Sequence, residues 1–203
     1  MTAAQVLRAD LRLVADLIPR GSRVLDLGCG DGALLEHVRD ERGCVVRGVE
    51  ISTAGVTACV ARGLAVVQAD LDEGLRDLAD AAFDYVVLSQ TLQEVHNVRL
   101  LVAEMMRVGE RAVVSYPNFA HSSARLRLGL RGRMPVSETL PYEWYDTPNV
   151  HYTTLKDFRE LCSEAGLVVE QEVALRIREG RAQRITFAPN LRADLAVAVV
   201  ARR

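Results

Sequence analysis

The sequence predicts an α/β fold built on one doubly wound, mostly parallel sheet. Strand and helix signals alternate from residue 23 onward, a pattern that requires crossover connections between parallel strands. A short apolar run, Val24–Leu27, leads into three alternating glycines within Gly28–Gly32. Acidic residues follow the next two apolar runs, at Glu50 and Asp70, in steps of twenty residues from the middle glycine. Glycines and acids in this phase are typical of a nucleoside-type cofactor site at the carboxyl ends of the strands.

Hydrophobic periodicity predicts seven strands and the helices between them. The predicted strands cover residues 24–27, 45–50, 64–69, 83–89, 112–116, 167–177 and 194–201. The predicted helices cover residues 7–18, 33–40, 53–62, 98–108 and 154–165. Ser52 supplies an N-cap for a helix that Gly63 ends, and Thr154 with Asp157 forms a capping box.

Composition is that of an ordinary globular protein. The 203 residues are enough for one domain over 1–203, and the net charge of −2 gives no global case for nucleic acid. No run approaches the ~20 apolar residues of a membrane span. The four cysteines and four histidines lack disulfide or metal-ligand spacing, so we expect no metal site and a reducing, cytoplasmic location. The sequence is compatible with either a monomer or a homo-oligomer.

The identity of the cofactor depends on charge. Gly28–Ala33 also satisfies the dinucleotide fingerprint, in which the last glycine can be alanine. A pyrophosphate is anionic, and beside Asp26 and Asp31 it would be repelled by about 1 to 4 kcal/mol at ~4 Å. S-adenosylmethionine has no phosphate, and its ammonium and sulfonium groups are both cationic. The acids therefore favour S-adenosylmethionine, whereas a dehydrogenase is supported only by Gly28–Ala33 and Glu50.

This pattern resembles the class I S-adenosylmethionine-dependent methyltransferases, whose glycine loop and two following acids match Asp26–Gly32, Glu50 and Asp70. The resemblance implies a Rossmann-like fold and a site for S-adenosylmethionine or S-adenosylhomocysteine. The cofactor-binding residues that it implies are Asp26, Gly28, Cys29, Gly30, Glu50, Ile51, Asp70, Leu71 and Ser89. The alternative is that the acids are only caps and turn residues, but three in phase after three strands favour the cofactor site.

Residues 117–153 interrupt the α/β alternation with an insertion after the fifth strand. Seven of the ten aromatic residues lie between Tyr116 and Phe158, so we expect this segment to be ordered. Rings with polar handles, such as those of Tyr142, Trp144 and Tyr145, suit a lid over a pocket or a protein interface. The alternative is a satellite core that folds onto the sheet.

Basic residues cluster at the start of this insertion, at Arg125, Arg127, Arg131 and Arg133. We expect a helix here, because Ser122 or Ser123 can cap one. The arginines could hold a carboxylate, a phosphate or an acidic partner surface. The alternative is a solvated helix face.

The insertion also carries a narrower resemblance, to the MetW family of methionine-biosynthesis proteins. The matching segments are Pro117–Phe119, Leu130–Val136 and Leu140–Asn149, together with Val24–Gly32 and Leu88–Gln93. The resemblance implies an accessory protein that associates with homoserine O-acyltransferase, of the acetyl or succinyl type, and supports or regulates it. A site for S-adenosylmethionine would then sense the end product of the pathway.

The substrate or partner surface is expected to include residues after the fourth strand and in the insertion: Gln90, His121, Arg131, Arg133, Tyr142, Trp144 and Tyr145. Gln93 could also face the substrate side, or both glutamines could be polar turn residues. The rival function is methyl transfer to a small molecule. Such a transfer needs mainly in-line positioning of the acceptor in a dry site, and the sequence singles out no catalytic residue.

Overall fold

One eight-stranded sheet runs through the computed structural model, which describes residues 7–203. Residues 1–6 of the predicted domain lie outside the described part. The strands are β1 (Arg23–Leu27), β2 (Val45–Glu50), β3 (Val66–Gln68), β4 (Phe83–Ser89), β5 (Gly109–Pro117), β6 (Leu167–Arg178), β7 (Arg181–Arg184) and β8 (Leu195–Arg202). The helices are α1 (Ala9–Leu17), α2 (Ala33–Arg42), α3 (Thr53–Ala61), α4 (Val98–Val108), α5 (Ser122–Arg131), α6 (Leu155–Glu164) and α7 (Pro189–Arg192).

The strand order is β3-β2-β1-β4-β5-β8-β6-β7, which confirms the doubly wound α/β fold. Strands β1 to β5 are mutually parallel, whereas β8 is antiparallel to β5 and to β6. Leu27 pairs with Val49 on one side and with Leu88 on the other. The carboxyl ends of β1, β2 and β4 therefore meet at one edge of the sheet, where parallel α/β sheets bind their ligands.

Hydrophobic side chains cover both faces of the sheet. On one face, α1 and α2 pack through Val14, Ile18 and Val38. On the other, α4 and α6 pack through side chains that include Met105 and Phe158. The two layers hold the strands in place and leave the carboxyl edge open between the helices.

The predicted count of seven strands is wrong by one, because β6 continues into a hairpin with β7. Glu179 and Gly180 form its two-residue turn, with φ values of 50° and 70°. Two consecutive positive φ values define the type I′ turn that suits the twist of a hairpin. All four residues of β7 are exposed, so this strand has no apolar alternation from which to predict it.

Local signals predicted most helix boundaries. Ser52 caps α3, and the capping box of Thr154 and Asp157 begins α6 as expected. The helix expected over the arginine cluster is α5, although His121 rather than a serine is its N-cap. Within residues 7–203, no helix has the length and apolar character needed to cross a membrane.

Candidate cofactor cleft

A cleft of about 700 Å³ lies at the carboxyl edge of the sheet. A smaller cavity of about 330 Å³ adjoins it and shares Gly28, Gly30 and Ser89 with it. The nine residues expected to bind a cofactor all line one of these two spaces: Asp26 and Cys29 line the smaller cavity, Glu50, Ile51, Asp70 and Leu71 line the cleft, and Gly28, Gly30 and Ser89 line both. The topology therefore brings together residues that are up to 63 positions apart in the chain.

The glycine loop is a tight turn that glycine alone fits. Gly28 has a φ of 70°, and a Cβ atom there would lie 2.6 Å from Oγ1 of Thr91. The N–H groups of Gly28 and Cys29 donate to the carbonyl of Val49 at 2.8 and 3.1 Å. The N–H of Gly30 donates to Glu50, so all three of these N–H groups already have acceptors within the fold. A loop whose donors are already used is a poor cradle for a pyrophosphate.

Glu50 fastens the loop to the end of β2. Its Oε2 accepts from the N–H of Gly30 and its Oε1 accepts from the N–H of Ser52, both at 2.8 Å. The side chain is buried, and a carboxylate oxygen can accept more than one hydrogen bond. Glu50 thus positions the loop and retains acceptor capacity towards the cleft.

Asp26 is a buried carboxyl group that lacks a full set of hydrogen-bond partners within the described residues. It is 3% exposed, and its Oδ1 has no hydrogen-bond partner among residues 7–203. Burial, with a contribution from the charge of Glu50, raises the pKa of Asp26 to about 8. A buried acceptor of this kind favours a ligand that brings a positive charge or an N–H donor.

Asp31 contributes less to the negative electrostatic potential of the cleft than the sequence suggests. Its carboxylate forms an ion pair with Arg62 at 2.9 Å, and Arg62 also pairs with Glu36. The repulsion of a diphosphate therefore depends mainly on the other acids of the cleft, because the raised pKa of Asp26 keeps its carboxyl group largely protonated at neutral pH. The sequence gives no sign of this pair, because Arg62 follows Asp31 by 31 positions.

The far end of the cleft offers an apolar surface beside hydrogen-bonding groups. Ile51 is 61% exposed, and its carbonyl accepts from Nε2 of Gln68 at 3.0 Å. Asp70 caps the 3₁₀ turn Leu71–Glu73 by accepting from the N–H of Asp72. An exposed aliphatic side chain next to such a turn can hold the flat face of a base.

Two polar residues of the cleft are additions to the predicted cofactor set. Gln93 is 6% exposed, and its Oε1 has no partner in the described part of the chain. Burial and the charge of Glu50 raise the pKa of Glu94, which also lines the cleft. The position of Gln93 after β4 was the only sequence signal for it.

Gln90 lies where the cleft meets the amino-terminal helix. Its backbone has a φ of 55°, which is strained for a residue other than glycine. Its Nε2 donates to Oδ2 of the buried Asp10 at 2.6 Å, and its N–H donates to Ser115. Gln90 therefore links α1 to the end of β4.

The residues expected for a substrate or partner separate into three places. Gln90 and Tyr142 line the cleft. Trp144 and Tyr145 are 69% and 70% exposed and lie outside the residues that line it, as do the exposed Arg131 and Arg133.

His121 does not reach the cleft either. It is buried, and its Nδ1 accepts from the N–H of Ser123 at the start of α5. Burial lowers its pKa, which favours the neutral ring. Its position fits a structural cap.

Solved structures with the same architecture are S-adenosylmethionine-dependent methyltransferases. One from Thermotoga maritima superposes with a TM-score of 0.72, at 16% identity, over 96% of this chain and 88% of that one. Another from Mesorhizobium loti has a TM-score of 0.69, at 21% identity, over 99% of both chains. The fold is therefore that of the class I methyltransferases.

Within that class, the sequence comparisons identify one family. The family model described as "Methionine biosynthesis protein MetW" matches residues 8–200, and the chain belongs to the MetW family. A curated relative from Rhodopirellula baltica is called "Bifunctional methionine biosynthesis protein MetXA/MetW". It is 38% identical over 200 residues, which are 94% of this chain and 32% of the relative. The chain thus spans about a third of that relative's length.

Proposed function

We propose that this chain binds S-adenosylmethionine or S-adenosylhomocysteine in the cleft and acts as an accessory protein of homoserine O-acyltransferase in methionine biosynthesis. The assignment of this partner is supported by the name of the Rhodopirellula relative, which joins MetXA and MetW in one chain. Fusion of two modules keeps each at a high effective concentration near the other, an advantage for modules that work together. The proposal includes a cytoplasmic location.

The charges of the cleft support the cofactor. Asp26 has an oxygen without a partner, and Glu50, Asp70 and Glu94 line the adjoining space. The N–H groups of Gly28, Cys29 and Gly30 already donate to Val49 and Glu50, so they are not available to a diphosphate. A cationic nucleoside fits this pattern, because it replaces the missing donor without adding negative charge.

Calorimetric titration tests the cofactor directly. We expect S-adenosylmethionine and S-adenosylhomocysteine to bind, and NAD to give no measurable heat. Binding of NAD alone would refute the cofactor assignment.

Co-purification tests the partner and the sensing role separately. We expect the homoserine O-acyltransferase of the same organism to associate with the purified chain, and the affinity to change when S-adenosylmethionine is added. An unchanged affinity would remove the sensing role and leave the complex. No association at all would refute the accessory function.

A methyltransferase activity is the second candidate, and a neighbouring cavity favours it. A space of about 750 Å³ between α1 and β7 shares Arg8, Gln90 and Glu138 with the cleft. A small acceptor in this space would lie next to the cofactor, because the two spaces share lining residues. Methyl transfer needs the acceptor atom about 3 to 3.5 Å from the methyl carbon, in line with the sulfonium.

Product analysis distinguishes the two candidates. Incubation with labelled S-adenosylmethionine and a panel of small amines and acids would yield S-adenosylhomocysteine only if transfer occurs. Turnover without the acyltransferase would favour the enzyme over the accessory protein.

A further inference from the structure

Helix α5 presents an apolar face that the rest of the described chain leaves uncovered. Ala124 is its only buried side chain. Leu126 and Leu130 are 61% and 77% exposed and lie four positions apart, so they share one side of the helix. A ten-residue helix is marginal in water unless it packs against another surface. The exposed leucines of α5 are available for packing of this kind.

The charged residues of the chain segment that contains these leucines all have the same sign. Residues 119–137 contain four arginines and no aspartate or glutamate. Arg125 donates to the carbonyl of Ala120, whereas Arg127, Arg131 and Arg133 form no ion pair within residues 7–203. Elsewhere ten arginines pair with a carboxylate: Arg8, Arg23, Arg39, Arg42, Arg62, Arg99, Arg107, Arg111, Arg159 and Arg178. The fold thus pairs ten of the 24 arginines with carboxylates, and Arg127, Arg131 and Arg133 are among those that remain available to carboxylates of another molecule.

We propose that the α5 surface, formed by Leu126, Leu130, Arg127, Arg131 and Arg133, is the docking site for the partner protein. The partner face has an apolar centre surrounded by carboxylates, complementary to leucines surrounded by arginines. This inference rests on the proposed function, and the occupant is the homoserine O-acyltransferase. In the Rhodopirellula relative, 68% of the chain lies outside the matched region and keeps such an occupant nearby.

The exposed leucines favour a protein over nucleic acid as the occupant. A phosphate backbone would pair with the arginines but would leave Leu126 and Leu130 without apolar contacts. A protein interface buries both kinds of side chain together.

The α5 surface is separate from the cofactor cleft. None of its five residues lines the cleft or the adjoining smaller cavity. Changes on α5 are therefore expected to leave cofactor binding intact, which provides a test of folding in every variant.

The experiment measures the affinity of the full chain for the acyltransferase from the same organism by biolayer interferometry. One variant combines Leu126→Ser with Leu130→Ser, and we expect it to bind about 30-fold more weakly. A second combines Arg127→Glu, Arg131→Glu and Arg133→Glu, and we expect a loss of about 100-fold at low salt. The wild-type affinity should fall about tenfold between about 0.05 and 0.5 M salt, and this dependence should flatten in the arginine variant.

Matched controls alter similar residues elsewhere. Val60→Ser removes an apolar side chain that is 62% exposed on α3, and Arg20→Glu reverses an exposed arginine. Both controls should bind the acyltransferase like the wild type. Circular dichroism and titration with S-adenosylhomocysteine confirm that each variant is folded.

The outcomes separate this inference from the proposed function. If the wild type binds the acyltransferase and the folded α5 variants bind equally well, the docking surface is wrong and the accessory function stands. If the wild type does not bind, both fail. Arginine-dependent binding of duplex DNA without binding of the acyltransferase would assign the surface to nucleic acid and overturn the inference.

Discussion

Replacing Asp26 with asparagine should make the protein more stable at neutral and basic pH while it abolishes tight cofactor binding. The substitution keeps the shape of the side chain and removes the charge. Asp26 lies in β1 with one oxygen unpartnered and a pKa raised to about 8, because burial and the charge of Glu50 disfavour ionisation. Ionisation of Asp26 therefore opposes folding and is useful only when a cationic ligand is present.

The direction of the pH dependence follows from the two pKa values. The folded chain holds the Asp26 proton up to about pH 8, whereas the unfolded chain releases it near 3.8. The folded state binds more protons between these values, so the contribution of Asp26 to stability is complete below pH 4 and is lost as pH rises to 8. Carboxyls with lowered pKa values, such as Asp84 and Glu104, act in the opposite direction. The difference between wild type and variant isolates Asp26.

The expected magnitude is about 2 kcal/mol. Each tenfold change in proton affinity corresponds to about 1.4 kcal/mol, so the two pKa values set an upper limit of roughly 6 kcal/mol. Relaxation and water penetration around a buried charge reduce that limit, and an unsatisfied buried group typically costs about 1 to 3 kcal/mol. For a domain of this size, about 2 kcal/mol corresponds to a Tm increase of about 4 to 8 °C.

Thermal unfolding from pH 4.5 to 8.5, with and without S-adenosylhomocysteine, is the assay. The Asp26→Asn variant should match the wild type at the acidic end and exceed it increasingly towards pH 8. The variant should also bind S-adenosylhomocysteine about 30- to 100-fold more weakly, because the ammonium group of the ligand loses a charged partner. A variant that is less stable than the wild type at pH 8, or that binds the ligand equally well, would refute this account of Asp26.

Three further substitutions test other parts of the site. Glu50→Ala removes the acceptor for the N–H groups of Gly30 and Ser52, and calorimetry should record a loss of about 1.5 to 3 kcal/mol in cofactor binding; unchanged binding would argue against a role for Glu50. Gly28→Ala forces a Cβ into Thr91 at a φ of 70°, and denaturant unfolding should show a loss of about 1 to 3 kcal/mol, whereas a neutral result would mean that the loop can shift. Trp144→Ala should leave cofactor affinity unchanged and weaken the acyltransferase complex by about 2 kcal/mol in a binding assay; a large loss of cofactor binding would instead assign Trp144 to a lid.

The sequence predicted the fold and the elements of the cleft because both depend on local, repeated signals. Apolar runs, caps such as Thr154 and glycines at forced positive φ report on the backbone within a few residues. The β7 strand was missed because its four side chains are exposed and its turn, Glu179–Gly180, is a weaker signal than Asn-Gly. Seven of the strands and the mostly parallel, doubly wound sheet were predictable, whereas the hairpin extension was not.

The charge state of the site depends on contacts between distant residues, and here the sequence was insufficient. Asp26 and Asp31 look equivalent along the chain, yet one is buried with an unpartnered oxygen and the other pairs with Arg62. The glycine loop matches a dinucleotide fingerprint along the chain, but Val49 and Glu50 already accept from its N–H groups. Both differences favour a ligand that donates hydrogen bonds over one that accepts them, because one carboxyl group lacks a donor while the N–H donors of the loop are occupied. The preference for a cationic nucleoside thus follows from hydrogen-bond partners that lie about twenty or more positions away, and not from the number of acids in the motif.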